Sequence, residues 1–379
     1  MSGSSLDGLD LAICRLRMTE GSAPVVSDWE ILAATTDEYP RPWQARLRSA
    51  PHLPGPELWR LHADLGHWIG RRARAFLDDH PEHAPTLVAS HGHTVFHDPT
   101  AGFTTQIGDG AAIAHRIGLP VVTELRGADV AAGGQGAPIA PVADKYLFPE
   151  YRAFLNLGGI ANVSLRRPDG SFIAGDVSGC CQILDRLAAR AGLAYDEGGR
   201  LAASGTFHPG YVTGFAALDF HGRGYPKSLG NAWVRDELWP LVDDAGLSAA
   251  DALHSFGKWL AVRIATDLTG LLAASGGAAA GAERIEEEQK DEAGKPDLLR
   301  VLVTGGGARN TFLLNQLRLT QETSPQFEFV VEADTTVGDF KEAALVALCG
   351  LLRVKGIPNS LPSATGAERA TVNGALYHP

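Results

Sequence analysis

Apolar runs predict several strands and one helix in the first third of the chain. Leu9, Leu11 and Ile13 fall on the same face of the first run, as expected of a strand with one buried side. Apolar residues between positions 57 and 77 recur at helical spacing, which predicts an amphipathic helix. The predicted strands cover residues 9–16, 29–34, 86–90 and 118–124.

The second third begins with the clearest local pattern in the sequence. A strand over 153–157 enters the Gly158-Gly159 turn, and two further strands follow, separated by Pro-Asp-Gly. A helix is predicted next, over 181–191. The opening of the chain shows the same order of glycine turn, strand and strand, but no strand precedes it. We therefore expect one layout used twice, with its first strand lacking from the opening. The two later strands cover 160–167 and 171–175.

The last third contains two predicted helices and one buried strand. The longer helix covers 249–274 and the shorter one covers 340–354. Residues 275–297 are small and then strongly charged, which predicts a linker or surface insertion. After it, the apolar run of "LLRVLVTGGGARN" predicts a strand that enters a triple-glycine turn.

Composition narrows the class of protein. With 45% hydrophobic and 20% charged residues, a chain of 379 residues can form one large or two medium globular domains. A net charge of -11 argues against nucleic-acid binding. The four cysteines form no CxxC pair, which favours reduced thiols in a cytoplasmic protein. No apolar run has the length of a membrane span and no signal peptide is visible, so we expect no membrane partner.

Three glycine turns, at 3–8, 158–159 and 305–307, suggest a phosphate site. Glycine lets backbone N–H groups approach phosphate oxygens closely. Asp7 and Asp10 flank the end of the first turn, where a carboxylate could hold Mg²⁺ through water. Each turn alone could instead be a hairpin or a helix entry, and either aspartate could cap a turn. The turns match neither the P-loop nor GxGxxG spacing.

Polar side chains in two further segments are candidates for ligand contact. His91, His93 and His97 lie in "ASHGHTVFHDP", where a polar loop that contacts substrate is favoured over a zinc site. Arg126 could orient an anionic group through two hydrogen bonds, or it could pair with Asp129 to brace a hinge. The sequence leaves both interpretations of Arg126 open.

Asp176 is the candidate general base. It lies in "AGDVSGCC", where a strand is predicted to meet a helix among small residues. Its alternative role is a helix cap. The adjacent Cys180 and Cys181 have no identifiable histidine partner, so we expect them to serve packing rather than nucleophilic catalysis.

Longer motifs carry a family resemblance. From "MSGSSLDGLD" onwards the sequence resembles the anhydro-N-acetylmuramic acid kinases, in particular their Bacteroidetes-type variant. The resemblance covers nearly the whole chain except 275–297. Its other segments are "SHGHTVFHDP", "TTQIGDG", "ELRGADVAAGGQGAPIAP", "FLNLGGIANVS", "YDEGGRLAASG", "PKSLGNAWV", "LVTGGGARN" and "LPSATGA".

The resemblance implies an α/β fold of the sugar kinase and actin superfamily, with two ribonuclease-H-like domains around a nucleotide cleft. One domain would cover 1–128 and about 335–379, and the other would cover 129–334 with the charged insertion. A cytoplasmic homodimer is the family expectation. The family also carries a few apolar residues before the opening motif, so we expect the first strand upstream of Met1.

The implied activity is a coupled reaction in peptidoglycan recycling. ATP, with Mg²⁺, phosphorylates O6 of 1,6-anhydro-N-acetylmuramic acid while water opens the anhydro bridge at C1. The product is N-acetylmuramic acid 6-phosphate. The alternatives are a kinase of another 1,6-anhydro sugar such as levoglucosan, a catalytically silent sugar or nucleotide sensor on the same fold, and a histidine-metal hydrolase.

The resemblance also assigns roles to residues. Asp176 and Glu342 would be catalytic, and Asp7 would bind Mg²⁺. The nucleotide would contact Ser2, Gly3, Ser4, Ser5, Asp7, Gly8, Asp10, Asn156, Gly158, Gly159, Asn162, Gly305, Gly306, Gly307 and Asn310. The sugar would contact His91, His93, Thr94, Arg126 and Asp129.

Three departures from the family pattern bear on the sugar site. "DVSGCC" stands where the commonest family form is DTGPGN, although Asp176 is kept. His93 replaces a usual glutamine, and Ser4 replaces a usual threonine while retaining the hydroxyl. We therefore expect the fold to follow the family more closely than the sugar specificity does.

Overall fold

The computed structural model describes residues 1–2, 6, 8–19, 21, 25–243, 246–275, 298–321 and 326–379. These residues form two compact units. Unit 1 comprises 1–148 with 340–379, and unit 2 comprises 149–339. The predicted charged insertion lies outside the described residues from position 276 onwards. Of the helices within the described ranges, none is both long and apolar enough to cross a membrane.

Strands and helices alternate along most of the chain, and the predicted elements are confirmed with differences at their ends. The strands are β1 (Gly8–Met18), β2 (Val26–Glu38), β3 (Val88–Ala89), β4 (His93–Asp98), β5 (Phe103–Ile107), β6 (Val121–Thr123), β7 (Ala153–Leu157), β8 (Ile160–Arg166), β9 (Phe172–Gly179), β10 (Leu299–Thr304), β11 (Phe327–Val331) and β12 (Ala375–Tyr377). The helices are α1 (Arg41–Ser49), α2 (Gly55–Asp78), α3 (Gly110–Ile117), α4 (Gly127–Ala131), α5 (Ala140–Leu147), α6 (Cys181–Ala189), α7 (Arg200–Ser204), α8 (Pro209–Ala216), α9 (Asp219–Gly222), α10 (Asn231–Trp233), α11 (Trp239–Val242), α12 (Ala249–Ala274), α13 (Thr311–Thr320), α14 (Thr335–Val354) and α15 (Pro362–Thr365).

Unit 2 is built on one five-stranded sheet. The strand order is β11-β10-β7-β8-β9. Strands β7, β8 and β9 form an antiparallel meander, while β10 runs parallel to both β7 and β11. This is the ribonuclease-H-like arrangement, which confirms the predicted α/β fold for this unit.

Four apolar residues out of five explain why β7 lies at the centre of that sheet. Both edges of β7 are paired, and Ala153, Leu155 and Leu157 are fully buried. Helix α12 packs its apolar residues into the same core. Ser248 caps this helix by accepting a hydrogen bond from the N–H of Asp251.

Among its described residues, unit 1 contains the strands of the same layout without a central strand. β1 pairs antiparallel with β2, while β6 lies between the parallel β3 and the antiparallel β12. Residues of β1, of 82–90 and of helices α2 and α14 line a cavity of about 520 Å³. In unit 2 the strands at the positions of β1 and β3 are β8 and β10, and β7 lies between them and pairs with both. The predicted duplication is therefore present, with its first strand lacking among the described residues of unit 1.

The division between the units falls after Phe148, later in the chain than the predicted position 128. Helix α5 belongs with unit 1 because the indole N–H of Trp29 donates to the carbonyl oxygen of Leu147 at 2.8 Å. The Trp29 ring also packs edge-on against Phe148, with 5.4 Å between centroids. The chain returns from unit 2 to unit 1 at Phe340, where α14 is kinked.

Two predicted segments are corrected by the structure. The polar loop predicted in "ASHGHTVFHDP" is confined to residues 90–92, because His93–Asp98 form β4, which pairs with β5 in an antiparallel hairpin where Thr94 lies opposite Gln106. Its contact with substrate stays a prediction. The third strand of unit 2 was predicted to end at Gly175, but β9 continues to Gly179. Asp176 therefore lies within a strand rather than at its end.

Candidate functional site

Asp176 lies on β9 with one carboxylate oxygen held by a neighbouring segment. Its Oδ2 accepts hydrogen bonds from the N–H of Leu229 at 2.8 Å and from the hydroxyl of Ser228 at 3.1 Å. Its Oδ1 has no hydrogen-bond partner within the described ranges. The helix-cap alternative for Asp176 is wrong, because the residue before α6 is Cys180 and no side chain caps that helix. One oxygen is thus fixed and the other is available to a proton.

The surroundings of Asp176 strengthen it as a proton acceptor. Burial raises the pKa of its carboxyl group, and this effect outweighs the two hydrogen bonds and the positive charge of Lys227, which lower the pKa. A carboxylate with a raised pKa takes a proton more readily from water. The arrangement therefore suits the predicted role of general base, which stays a prediction.

The two glycine turns of unit 2 lie side by side. The Gly158-Gly159 turn joins β7 to β8 as a hairpin, and the carbonyl oxygens of both glycines accept hydrogen bonds from the first N–H groups of α6. A Cβ atom on Gly305 would lie 2.6 Å from the side-chain oxygen of Asn156, and one on Gly307 would lie 2.8 Å from Leu157. Only glycine allows this contact between the turns.

Register connects these turns to Asp176. Asn162 on β8 lies opposite Asn156 on one side and opposite Asp176 on the other. The turns follow the carboxyl ends of the parallel strands β7 and β10, the position where open α/β sheets bind ligands. The structure thus brings the predicted nucleotide residues of unit 2 and the predicted base to one region of the sheet.

Asn310 has a structural role in addition to its predicted one. Its side-chain oxygen accepts a hydrogen bond from the N–H of Leu313 at 2.9 Å and thereby caps α13. The cap fixes the start of the helix that follows the triple-glycine turn. Contact between Asn310 and a nucleotide stays a prediction.

The opening of unit 1 is described only in part. Gly3, Ser4, Ser5 and Asp7 lie outside the described residues, so their predicted phosphate and Mg²⁺ contacts stay predictions. The buried Ser2 accepts a hydrogen bond from the hydroxyl of Tyr39 at 2.9 Å, and its Oγ lies 3.4 Å from Nδ1 of His93. Gly8 is required where β1 passes β2, because a Cβ there would lie 2.5 Å from the methyl group of Thr36.

Asp10 belongs to β1. Its Oδ1 accepts a hydrogen bond from the hydroxyl of Thr36 at 2.7 Å. Since Asp10 lies inside a strand, the alternative that it caps a turn is wrong.

His91 and Arg126 form a defined pair in unit 1. The guanidinium Nε of Arg126 donates to Nε2 of His91 at 2.8 Å, so the proton of His91 is on Nδ1, which contacts the carbonyl oxygen of Gly92 at 3.2 Å. Burial, followed by the charge of Arg126, lowers the pKa of His91 to about 3. His91 is therefore neutral and serves as an acceptor that orients Arg126.

The predicted alternative of an Arg126–Asp129 pair is wrong, because Asp129 has other partners. Its carboxylate accepts hydrogen bonds from Thr365 at 2.9 Å and from the N–H of Gly136 at 2.8 Å, and the side chain is buried. Asp129 thus ties the loop after α4 to the end of the chain. Its predicted contact with the sugar, and those of His93 and Thr94, stay predictions.

Glu342 on α14 lies near Asp10 and Arg126 in unit 1. Although part of its side chain reaches solvent, desolvation by the surrounding protein raises the pKa of Glu342. The negative charge of Asp10 raises the pKa further, whereas Arg126 lowers it. Two carboxylates in one neighbourhood are hard oxygen ligands of the kind Mg²⁺ prefers. Within the described ranges, no group of three histidine, cysteine, aspartate or glutamate side chains could hold a metal ion.

Sequence reasoning did not assign roles to Lys227, Ser228 or Asp267. Ser228 contacts Asp176 across 52 positions in the chain, and Lys227 lies 3.5 Å from Asp267, which is 40 positions away. Contacts between residues so far apart in the chain leave no local pattern in the sequence. The only signal was the segment "PKSLGNAWV", which carried resemblance but no identified function.

Comparison with known proteins gives one family over the full chain. The family profile described as anhydro-N-acetylmuramic acid kinase matches residues 1–379. Curated proteins of that name are 34% identical in Paramagnetospirillum magneticum, over 100% of this chain and 98% of the relative, and 30% identical in Picosynechococcus sp., over the same shares. The protein of that name from Streptomyces coelicolor is 32% identical, over 99% of this chain and 92% of its own.

Comparison with solved structures gives weaker similarity than comparison with curated sequences. The activator of the 2-hydroxyisocaproyl-CoA dehydratase from Clostridium difficile is 17% identical, over 62% of this chain and 68% of that one. Its TM-score is 0.33, which is too low to support an inference about this chain.

Proposed function

The chain belongs to the anhydro-N-acetylmuramic acid kinase family, and from this membership we propose a reaction in which Asp176 is the general base. The protein is an ATP-dependent kinase of anhydro-N-acetylmuramic acid that acts in cell-wall recycling. The observation that carries the proposed role is the geometry of Asp176, whose Oδ2 is fixed while Oδ1 is available.

The proposed reaction joins hydrolysis to phosphoryl transfer. Asp176 accepts a proton from a water molecule at Oδ1, and the water oxygen bonds to C1 of the sugar. The bond between C1 and the bridging O6 breaks, and its electron pair stays on O6. O6 then attacks the γ-phosphorus of ATP, ADP leaves, and the product is N-acetylmuramic acid 6-phosphate. The proton on Asp176 is released to solvent after the transfer.

The glycine turns are proposed to bind the phosphates of ATP. Gly158, Gly159 and the triple-glycine turn follow the carboxyl ends of β7 and β10, where their backbone N–H groups would bind the phosphate oxygens. In unit 1 the residues from Ser2 to Asp10 are proposed to do the same. When bound, Mg²⁺ neutralises the phosphate charge, and Asp10 and Glu342 are the described carboxylates that would hold it, together with the predicted Asp7.

Arg126 is proposed to recognise the lactyl carboxylate of the sugar. His91 holds its Nε, which leaves the two Nη groups to form a planar pair of donors. Levoglucosan has no carboxylate, so this pair favours the muramic acid substrate over the alternative sugar. A sensor without catalysis would not require an oriented base such as Asp176. We further propose that the protein is a cytoplasmic homodimer, as expected from its family.

Turnover in ¹⁸O-labelled water tests the proposed reaction. Purified protein is given ATP with anhydro-N-acetylmuramic acid or with levoglucosan, and ADP and the sugar products are measured. We expect turnover of the first sugar, with the label on the C1 hydroxyl and none on the phosphate. Label in released inorganic phosphate, with the anhydro sugar unchanged, would show that water attacks phosphorus, and it would contradict Asp176 as a base acting at C1. Faster turnover of levoglucosan would favour the alternative substrate.

A further inference from the structure

The segment 225–229 lies directly on β9 beside Asp176. The N–H of Asp176 donates to the carbonyl oxygen of Lys227 at 2.9 Å, while Ser228 and Leu229 donate back to Asp176 Oδ2. A Cβ atom at Gly175 would overlap the backbone of Lys227, so glycine is required for this approach. The segment therefore contacts both the backbone and the carboxylate of Asp176.

These contacts fix the rotation of the carboxylate. A carboxylate bonded through one oxygen to two donors cannot turn without losing both bonds. Because both donors reach Oδ2, Oδ1 keeps a single direction. A general base needs such a fixed direction, since the proton-accepting atom must meet the attacking water at hydrogen-bond distance.

A buried ion pair anchors the segment. The side chain of Lys227 is 3% exposed, and its Nζ lies 3.5 Å from Oδ2 of Asp267, which is 4% exposed. Asp267 belongs to α12 and also pairs with Arg263. The ammonium group of Lys227 lies over the rings of Phe220 and Tyr225, 4.9 and 4.7 Å from their centroids. Lysine is almost never buried without a partner, so this anchor depends on Asp267.

We propose that Ser228 is a positioning residue for Asp176, and that the buried Lys227–Asp267 pair holds the 225–229 segment in the place where Ser228 can act. Ser228 does not touch the reacting atoms in this scheme; it acts by directing Oδ1. The inference rests on the proposed role of Asp176 as base.

Ser228→Ala is the main test, because Ser228 is exposed and the substitution removes its hydroxyl without opening a space in the core. We expect kcat to fall about tenfold or more, as for the loss of one hydrogen bond to a charged group, while KM for ATP is unchanged. The acidic limb of the pH profile should move to higher pH, because the lost bond favoured the ionised carboxylate. Ser228→Thr, which keeps the hydroxyl, should restore most of the rate.

Two further variants separate positioning from general stability. Ser204→Ala removes an exposed hydroxyl of the same unit, which donates to the carbonyl oxygen of Leu201 at 2.8 Å, and it should leave the kinetics unchanged. Lys227→Met removes the anchor and should lower kcat together with the melting temperature. An unchanged kcat in Ser228→Ala, or a loss that Ser228→Thr does not restore, would overturn the proposal.

Carbon NMR of the aspartate carboxyl groups distinguishes failure of this inference from failure of the proposed function. The signal of Asp176 is identified by its disappearance in Asp176→Asn and is titrated without substrate. Ser228→Ala should shift this titration to higher pH even if the enzyme turns over no sugar. An unshifted titration would overturn the inference. The ionisable groups on the elements that pack around Asp176 are the same in wild type and in Ser228→Ala. They are Lys227, Tyr225, Asp267, Arg263 and His221.

Discussion

Replacing Arg126 tests how the kinase recognises its sugar. The Nε of Arg126 is taken by His91, and neither Nη has a hydrogen-bond partner within the described ranges. A planar pair of N–H donors matches a carboxylate, so we expect Arg126 to bind the lactyl group. The perturbation is Arg126→Met, which keeps much of the side-chain volume and removes the donors.

The expected magnitude follows from the bonds that are lost. A hydrogen bond to a charged group contributes about 1.5–3 kcal/mol, so the variant should lose about 10- to 100-fold in kcat/KM for anhydro-N-acetylmuramic acid. The methyl ester of the lactyl group is the matched substrate without charge. Wild type should discriminate against this ester, and Arg126→Met should treat the acid and the ester nearly alike. ADP release at varied concentrations of the acid or of the ester measures kcat/KM for each substrate.

A surface pair of the same kind provides the control. The Nε of Arg116 donates to Nδ1 of His67 at 3.2 Å, and the pair is exposed. Arg116→Met should leave discrimination between acid and ester unchanged. The reasoning is refuted if Arg126→Met lowers kcat/KM for both substrates by the same factor, since Arg126 would then support the fold rather than bind the carboxylate.

Two other predictions concern the surroundings of the site. Gly175→Ala should lower kcat and should lower the free energy of unfolding by about 1–3 kcal/mol, because the added Cβ displaces Lys227. Urea unfolding measures the change in stability, and Gly210→Ala, whose added Cβ meets open space, is the control. Burial lowers the pKa of His91 from 6.5 to about 3, so between these pH values the folded state binds fewer protons than the unfolded state. The free energy of unfolding should therefore decrease as pH falls from 6.5 towards 3, by at most about 1.4 kcal/mol per pH unit. His91→Gln should flatten this part of the stability–pH curve, and an unchanged slope would contradict a buried neutral His91.

Local patterns were sufficient to predict the elements of unit 2. Four of the five residues of 153–157 are apolar because β7 is buried on both faces, and the glycine turn that follows this strand is visible in the sequence. The limits of β9 were harder to predict. Its last residues are small and lack a clear alternation, so the strand was predicted to end before Asp176.

Contacts between distant residues could not be predicted. The hydrogen bond from Arg126 to His91 joins residues 35 positions apart, and the sequence left Arg126 with a choice between an anion and Asp129. Only the packing of the two segments decides which acceptor is near. The same holds for Ser228 and Asp176, where the sequence identified the base but not the donor that orients it.

The hairpin of β4 and β5 shows a different limit. Its polar residues, including His93 and Thr94, led to the prediction of a loop, although both residues pair with residues of β5. A two-stranded ribbon needs no continuous apolar run when one of its faces is polar. Polarity alone therefore did not separate a strand from a loop.

The most direct test of the central claim is the turnover of Asp176→Asn with ATP and anhydro-N-acetylmuramic acid, measured beside its nucleotide affinity. Asp185→Asn, on α6 of the same unit, is the matched control. The account predicts that kcat of Asp176→Asn falls by about 100- to 10,000-fold, as for loss of a general base, while ATP binding and the control stay near wild type. A kcat of Asp176→Asn within a few fold of wild type would contradict the assignment of Asp176 as the base.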